Sequence, residues 1–177
     1  MSQFGHRLVS PTPTSSRHSP GQNGNMAIVE RSTELANSAD AVWSAVKTPA
    51  AFRRVTRRLL VMPAIRSRSE PWREGETVVG WVFLLGFLPF SRHHLHVHKV
   101  DDASRTLSSR EHGGLIKRWN HDIVVTPIGD RRSLYRDRID IGAGIFTPFV
   151  VLYARWFYAM RQRRWRQLAK ELPEHRA

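Results

Sequence analysis

The chain has 177 residues, with 28 Lys+Arg against 15 Asp+Glu, nine His and no Cys, and a formal net charge of +13 with His counted neutral. That length suits one domain with a real core, and 41% apolar and 10% aromatic residues exclude a wholly disordered chain. Zero Cys excludes a disulfide scaffold, thiolate metal sites and cysteine nucleophiles, and fits a reducing, cytoplasmic setting.

Residues 1–25 read as a tail. The stretch Ser10 to Asn25 is rich in Pro, Ser, Thr, Gly and Asn and has no apolar period, so it cannot offset its ordering entropy. It lacks the apolar segment of a secretory signal. Residues 26–177 are expected to form one domain. Ala27 to Leu35 alternates as a strand. Asn37-Ser38 supplies N-cap side chains for a short helix, Ala39 to Lys47, with Val42 and Trp43 inward. Thr48-Pro49 opens a second short helix through about Arg58. Ile65 to Glu70 reads as a weak strand, and a Trp72–Gly75 turn leads to a long strand, Thr77 to about Leu88, broken by Pro89. Arg92 to Val100 and Arg105 to Glu111 follow. Ile116 to Thr126 and Ser133 to Ile141 form a hairpin around Ile128-Gly-Asp-Arg. Phe149 to Leu172 reads as one long helix. No window holds the roughly 18 uncharged apolar residues of a spanning helix.

This order segregates helices from an antiparallel sheet, which is an α+β architecture. A curled sheet crossed by a long helix encloses a concave apolar space, the default kind of ligand site.

Several motifs carry a family resemblance. They are Ala27-Ile-Val-Glu-Arg-Ser-Thr-Glu-Leu, then Ser38-Ala-Asp-Ala-Val-Trp43, then Trp119-Asn-His121 with Asp137-Arg138, and finally Phe157-Tyr-Ala-Met-Arg-Gln-Arg-Arg-Trp165. In this order, over about residues 26–172, they resemble the START / Bet v 1-like (SRPBCC) superfamily, including its polyketide cyclase/dehydrase-like members. The resemblance implies a helix-grip fold, with a sheet wrapped around the C-terminal helix. It also implies a cavity for a lipid, polyketide or other apolar small molecule. Members include carriers, sensors and cyclases, so the fold does not decide the chemistry.

The hairpin residues Trp119, His121, Ile123, Tyr135, Asp137 and Ile139 share one face by alternation, and Arg118, Asn120, Asp122, Arg136, Arg138 and Asp140 share the other. The first face points to the core. His121 and Asp137 are candidates for a general acid/base pair, although a structural pair that satisfies itself or the backbone is the favoured reading of them. Trp81, Phe83, Leu85, His93, Trp119, Ile123, Tyr135, Ile139, Trp156 and Met160 are the expected cavity lining. In the long helix Phe149, Leu152, Trp156, Met160, Leu168 and Leu172 form the expected core-facing stripe.

His94, His96 and His98 share a strand face, but the third lies roughly 13 Å from the first at ~3.3 Å per residue. No metal site and no cofactor are expected. Two basic clusters, Arg53, Arg54, Arg57 and Arg58, and Arg161, Arg163, Arg164 and Arg166, raise an anionic partner, either RNA or an acidic membrane surface met peripherally. A solvated, dipole-compensated helix end explains the second cluster more cheaply.

Overall fold

The computed structural model describes residues 26–173; the predicted tail, residues 1–25, lies outside them. Strand β1 (Met26–Leu35) runs into α1 (Ala39–Val46) and α2 (Pro49–Thr56). Strands β2 (Leu60–Val61), β3 (Thr77–Leu84), β4 (Leu88–Asp101), β5 (Thr106–Gly113), β6 (Ile116–Gly129) and β7 (Arg132–Gly142) follow, and α3 (Thr147–Ala169) comes last. All seven strands join one antiparallel sheet in the order β1-β7-β6-β5-β4-β3-β2. The sheet grips α3, so the helix-grip arrangement expected of the sequence is what forms.

The helix starts follow their caps. Ser38 Oγ accepts from Ala41 N at 3.3 Å and Thr48 Oγ1 from Ala51 N at 3.1 Å, each satisfying a first-turn amide. Pro49 occupies the first turn of α2, where its missing N–H costs nothing. Val42 and Trp43 are buried as expected, and Trp43 Nε1 donates to Asp102 at 2.6 Å.

Three elements differ from expectation. Residues 65–70 are not a strand; the pairing falls earlier, at Leu60–Val61, and Pro63–Ile65 is a single 3-10 turn. Pro89 does not break the sheet. It sits within β4 opposite Phe83, beside a register shift between Val82 and Phe83 where a ladder bond is already lost. The strand predicted to reach Leu88 instead turns at Leu85 and Gly86, both left-handed at φ 54° and 84°.

The buried stripe of α3 is also rotated from expectation. It runs through Ala154, Phe157, Tyr158, Arg161, Gln162, Trp165 and Leu168. Phe149 and Leu152 are 72% and 69% exposed, and Trp156 is exposed as well. Two clusters of apolar side chains fill the interior. One joins α1, α2 and the α3 C-terminal half to the sheet; the other packs Val29, Trp119, Ile139 and Ile141 under Phe157 and Tyr158.

Candidate functional site

Between the sheet and α3 lies a cavity of about 350 Å³, within the range of small-molecule sites. Its floor comes from rungs of the sheet. Register places Leu95, Glu111 and Trp119 side by side across β4, β5 and β6, and Val97, Ser109 and His121 in the next rung. Alternation turns both rungs inward. Val82 and Leu84 of β3 close one side, and Tyr153, Phe157 and Tyr158 of α3 form the roof. Phe146 and Phe149 stand at its edge and remain largely exposed.

Of the expected lining, His93, Trp119 and Ile123 reach the cavity, and His121 joins them. The others do not. Trp81 is 54% exposed and Leu85 is exposed, while Val82 and Leu84 take the inward positions beside them. Phe83 follows the same parity outward. Tyr135 and Ile139 are fully buried, packed under Trp165 and Phe157 rather than bordering open space. Trp156 lies on the exposed side of α3, and Met160 packs at its flank.

His121 and Asp137 do meet, as one contact in a larger buried network, and of the two only His121 borders the cavity. Asp137 has no exposure. Its Oδ1 accepts from His121 Nε2 at 2.8 Å, Tyr135 OH at 2.9 Å and Arg161 Nη1 at 2.7 Å, and its Oδ2 from Gln162 Nε2 at 3.0 Å. Burial alone would raise this carboxyl. The Arg161 charge and the His121 and Gln162 hydrogen bonds outweigh that and hold it below the ordinary carboxylate value. An ionised Asp137 requires the His121 proton on Nε2. Asp137 therefore collects four protein donors, three on Oδ1 and one on Oδ2, and joins β6, β7 and α3.

The carboxylate that borders the cavity is a different one. Glu111 accepts from His93 Nε2 at 3.1 Å and from Ser109 Oγ at 2.5 Å, on different oxygens. Burial pushes this carboxyl up, and the His93 hydrogen bond and charge, with Ser109, bring it below its ordinary value. Gly113 makes room for the imidazole: a Cβ there would stand 2.8 Å from His93 Nδ1 and 2.5 Å from the Arg92 carbonyl. The buried Tyr153 hydroxyl has no hydrogen-bond partner among the described residues, and burial pushes its pKa up to about 12.

Sequence reasoning missed Glu111, Ser109 and the α3 aromatics Tyr158 and Trp165. The signal for Glu111 was there: Leu107, Ser109, Glu111 and Gly113 share a strand face whose first member is apolar. Arg161, expected on a basic surface, is instead buried against Asp137.

The remaining arginines of the two clusters are largely engaged. Arg53 donates to the carbonyls of Ile65 and Arg68. Arg54 pairs with Glu171, Arg164 with the carbonyls of Val55 and Arg57, and Arg166 with Thr33 Oγ1. Arg57, Arg58 and Arg163 are exposed. On the outer sheet face His94 stacks on His112 with centroids 4.7 Å apart. No cluster of three or more metal-ligating side chains occurs among the described residues. Among them, too, no helix is long and apolar enough to cross a membrane.

A family profile described as "Domain of unknown function (DUF8410)" matches residues 33–171. The chain belongs to this family. No curated protein matches it. Solved structures place the fold. A START superfamily protein from Mycobacterium smegmatis matches at TM-score 0.62 and 14% identity, covering 81% of this chain and 97% of that one. Norcoclaurine synthase from Thalictrum flavum, in complex with dopamine and hydroxybenzaldehyde, matches at TM-score 0.62 and 15% identity, covering 98% and 99%. The Zhui aromatase/cyclase from Streptomyces sp. R1128 matches at TM-score 0.60 and 14% identity, covering 82% and 94%. The fold is START / Bet v 1-like, as the sequence motifs implied.

Proposed function

We propose that the protein binds an apolar small molecule, of lipid or polyketide-like character, between the sheet and α3. The observation that carries this is the cavity of about 350 Å³ walled by Leu95, Trp119, Ile123, Phe157 and Tyr158. A well-packed core leaves few voids larger than a water molecule, and an apolar space of this size favours an apolar guest. Norcoclaurine synthase, similar in fold, is solved with two small aromatic compounds, dopamine and hydroxybenzaldehyde, which supports a guest of that size. The test is native mass spectrometry of the purified protein, followed by solvent extraction and identification of what co-purifies. A stoichiometric adduct released as an apolar compound is the expected result. A protein that carries nothing and takes up no apolar probe would defeat the reading.

A second and compatible reading has its own observation. Ile145, Phe149, Leu152 and Trp156 are exposed along one side of the helix start, beside the cavity edge. Contiguous exposed apolar side chains mark interaction surfaces. With a net charge of +13, the surface they suit is an anionic membrane. For catalysis by His121 and Asp137, His121 borders the cavity while Asp137 does not and already accepts from four protein donors, so the binding reading is the one favoured.

A further inference from the structure

Among the described residues, Glu111 is the one carboxylate that borders the cavity. A buried carboxylate is costly, and apolar residues of similar volume commonly replace buried ion pairs at no loss of stability. Its retention on an apolar wall therefore asks for a use. An ionised carboxylate offers about four acceptor positions. His93 Nε2 and Ser109 Oγ supply one donor to each oxygen, which leaves acceptor capacity on both at the cavity wall. The imidazole and the hydroxyl act as positioning residues, because they fix the carboxylate's orientation before any guest arrives. Gly113 keeps His93 in place by leaving its own side-chain position empty.

The chemistry of the guest follows. A carboxylate only accepts, so the guest group that meets it must donate. Arg161, buried against Asp137, also borders the cavity. Its charge is compensated by Asp137, and a cationic guest would carry a larger desolvation cost in this apolar space than a neutral one. The remaining walls are apolar and aromatic. We propose that the cavity's guest is a neutral apolar molecule bearing a hydroxyl group, whose O–H donates to Glu111 while its body fills the space under α3. This rests on the cavity reading above and adds the recognition point to it.

The test compares 2-naphthol with its methyl ether, 2-methoxynaphthalene, by isothermal titration calorimetry at neutral pH. The full chain and its Glu111→Gln variant are both titrated. The readout is the ratio of the two affinities. In the unmodified chain the naphthol is expected to bind roughly tenfold more tightly than the ether, as a charge-assisted hydrogen bond would give. In Glu111→Gln the ratio is expected to shrink to about threefold or less. A ratio that the substitution leaves unchanged overturns the role of Glu111 and leaves the cavity reading standing. Binding of neither probe to the unmodified chain overturns both. If Glu111→Gln loses its cooperative unfolding transition, the unmodified chain decides alone: equal affinity for the two probes refutes the proposal.

Discussion

Arg161 Nη1 donates to Asp137 Oδ1 across 2.7 Å, and neither side chain is more than 5% exposed. This contact ties the middle of α3 to β7. A buried pair adds little when compared with apolar replacements, but removing one partner strands the other. Arg161→Met is therefore expected to cost about 3–5 kcal/mol in urea denaturation. Combining it with Asp137→Leu should cost less than the two single changes added together. Strict additivity would mean that the two side chains do not act as a unit.

Asp137 and Glu111 both sit below the ordinary carboxyl values of 3.8 and 4.5. A carboxyl whose pKa is lower in the folded state stabilises fully above its unfolded value. That contribution is lost as pH falls through the folded value. Thermal stability should thus hold down to about pH 4.5 and then decline steeply from these two groups. In Asp137→Asn the decline should be shallower. Melting curves between pH 2.5 and 7 check this, and an acid limb identical in the variant would contradict it.

Gly113→Ala should be disproportionately damaging for a strand glycine. The new methyl meets the Arg92 carbonyl and the His93 ring, and only the ring could yield. A cost of about 1–3 kcal/mol is expected from the overpacking. The equivalent change at Gly129, where nothing lies within 4 Å but the backbone φ is +155°, should produce no imidazole displacement. NMR of the His93 ring resonances distinguishes the two variants.

Filling the cavity should abolish guest uptake without unfolding the protein. Leu107 is buried and borders the open space, so Leu107→Trp can place its extra ring there. Small-to-large changes in a filled core cost about 1–3 kcal/mol. Here the loss should stay near or below the lower figure while 2-naphthol binding disappears in calorimetry. Persisting affinity would place the guest elsewhere.

Phe149 and Leu152 are the most direct test of the membrane reading. Both are largely exposed, so Phe149→Ser with Leu152→Ser should change stability by no more than about 0.5 kcal/mol per site. Co-sedimentation with vesicles containing phosphatidylserine should fall several-fold and should weaken with salt in the unmodified chain. Equal sedimentation of the two proteins would remove this surface from consideration.

Much of the architecture was legible because local rules agreed with one another. Ser38 and Thr48 announce their helices through caps. The β6–β7 hairpin declares its inner face because Arg118, Asn120 and Asp122 contrast sharply with Trp119, His121 and Ile123. The same contrast fails in β3, where Trp81, Val82, Phe83 and Leu84 are apolar on both faces, so alternation carries no parity. It misleads in α3. There the buried side holds Arg161 and Gln162, whose partners Asp137 and the Arg31 carbonyl come from other strands. The outer side holds Phe149 and Leu152. A polar residue that is satisfied only across the sheet looks like a surface residue in one dimension. Glu111 escaped notice for this reason too, since its partner His93 stands on the neighbouring strand.

The sheet order has a temporal consequence. β1 pairs with β7, Met26 against Gly142 and Leu35 against Ser133, so its hydrogen-bonding edge has no neighbour until synthesis has passed β7. Loop closure over such a span is slow compared with hairpin formation. The β3–β7 meander can zip up hairpin by hairpin as it emerges from the ribosome. β1, made first, must wait with an unpaired edge and docks among the last.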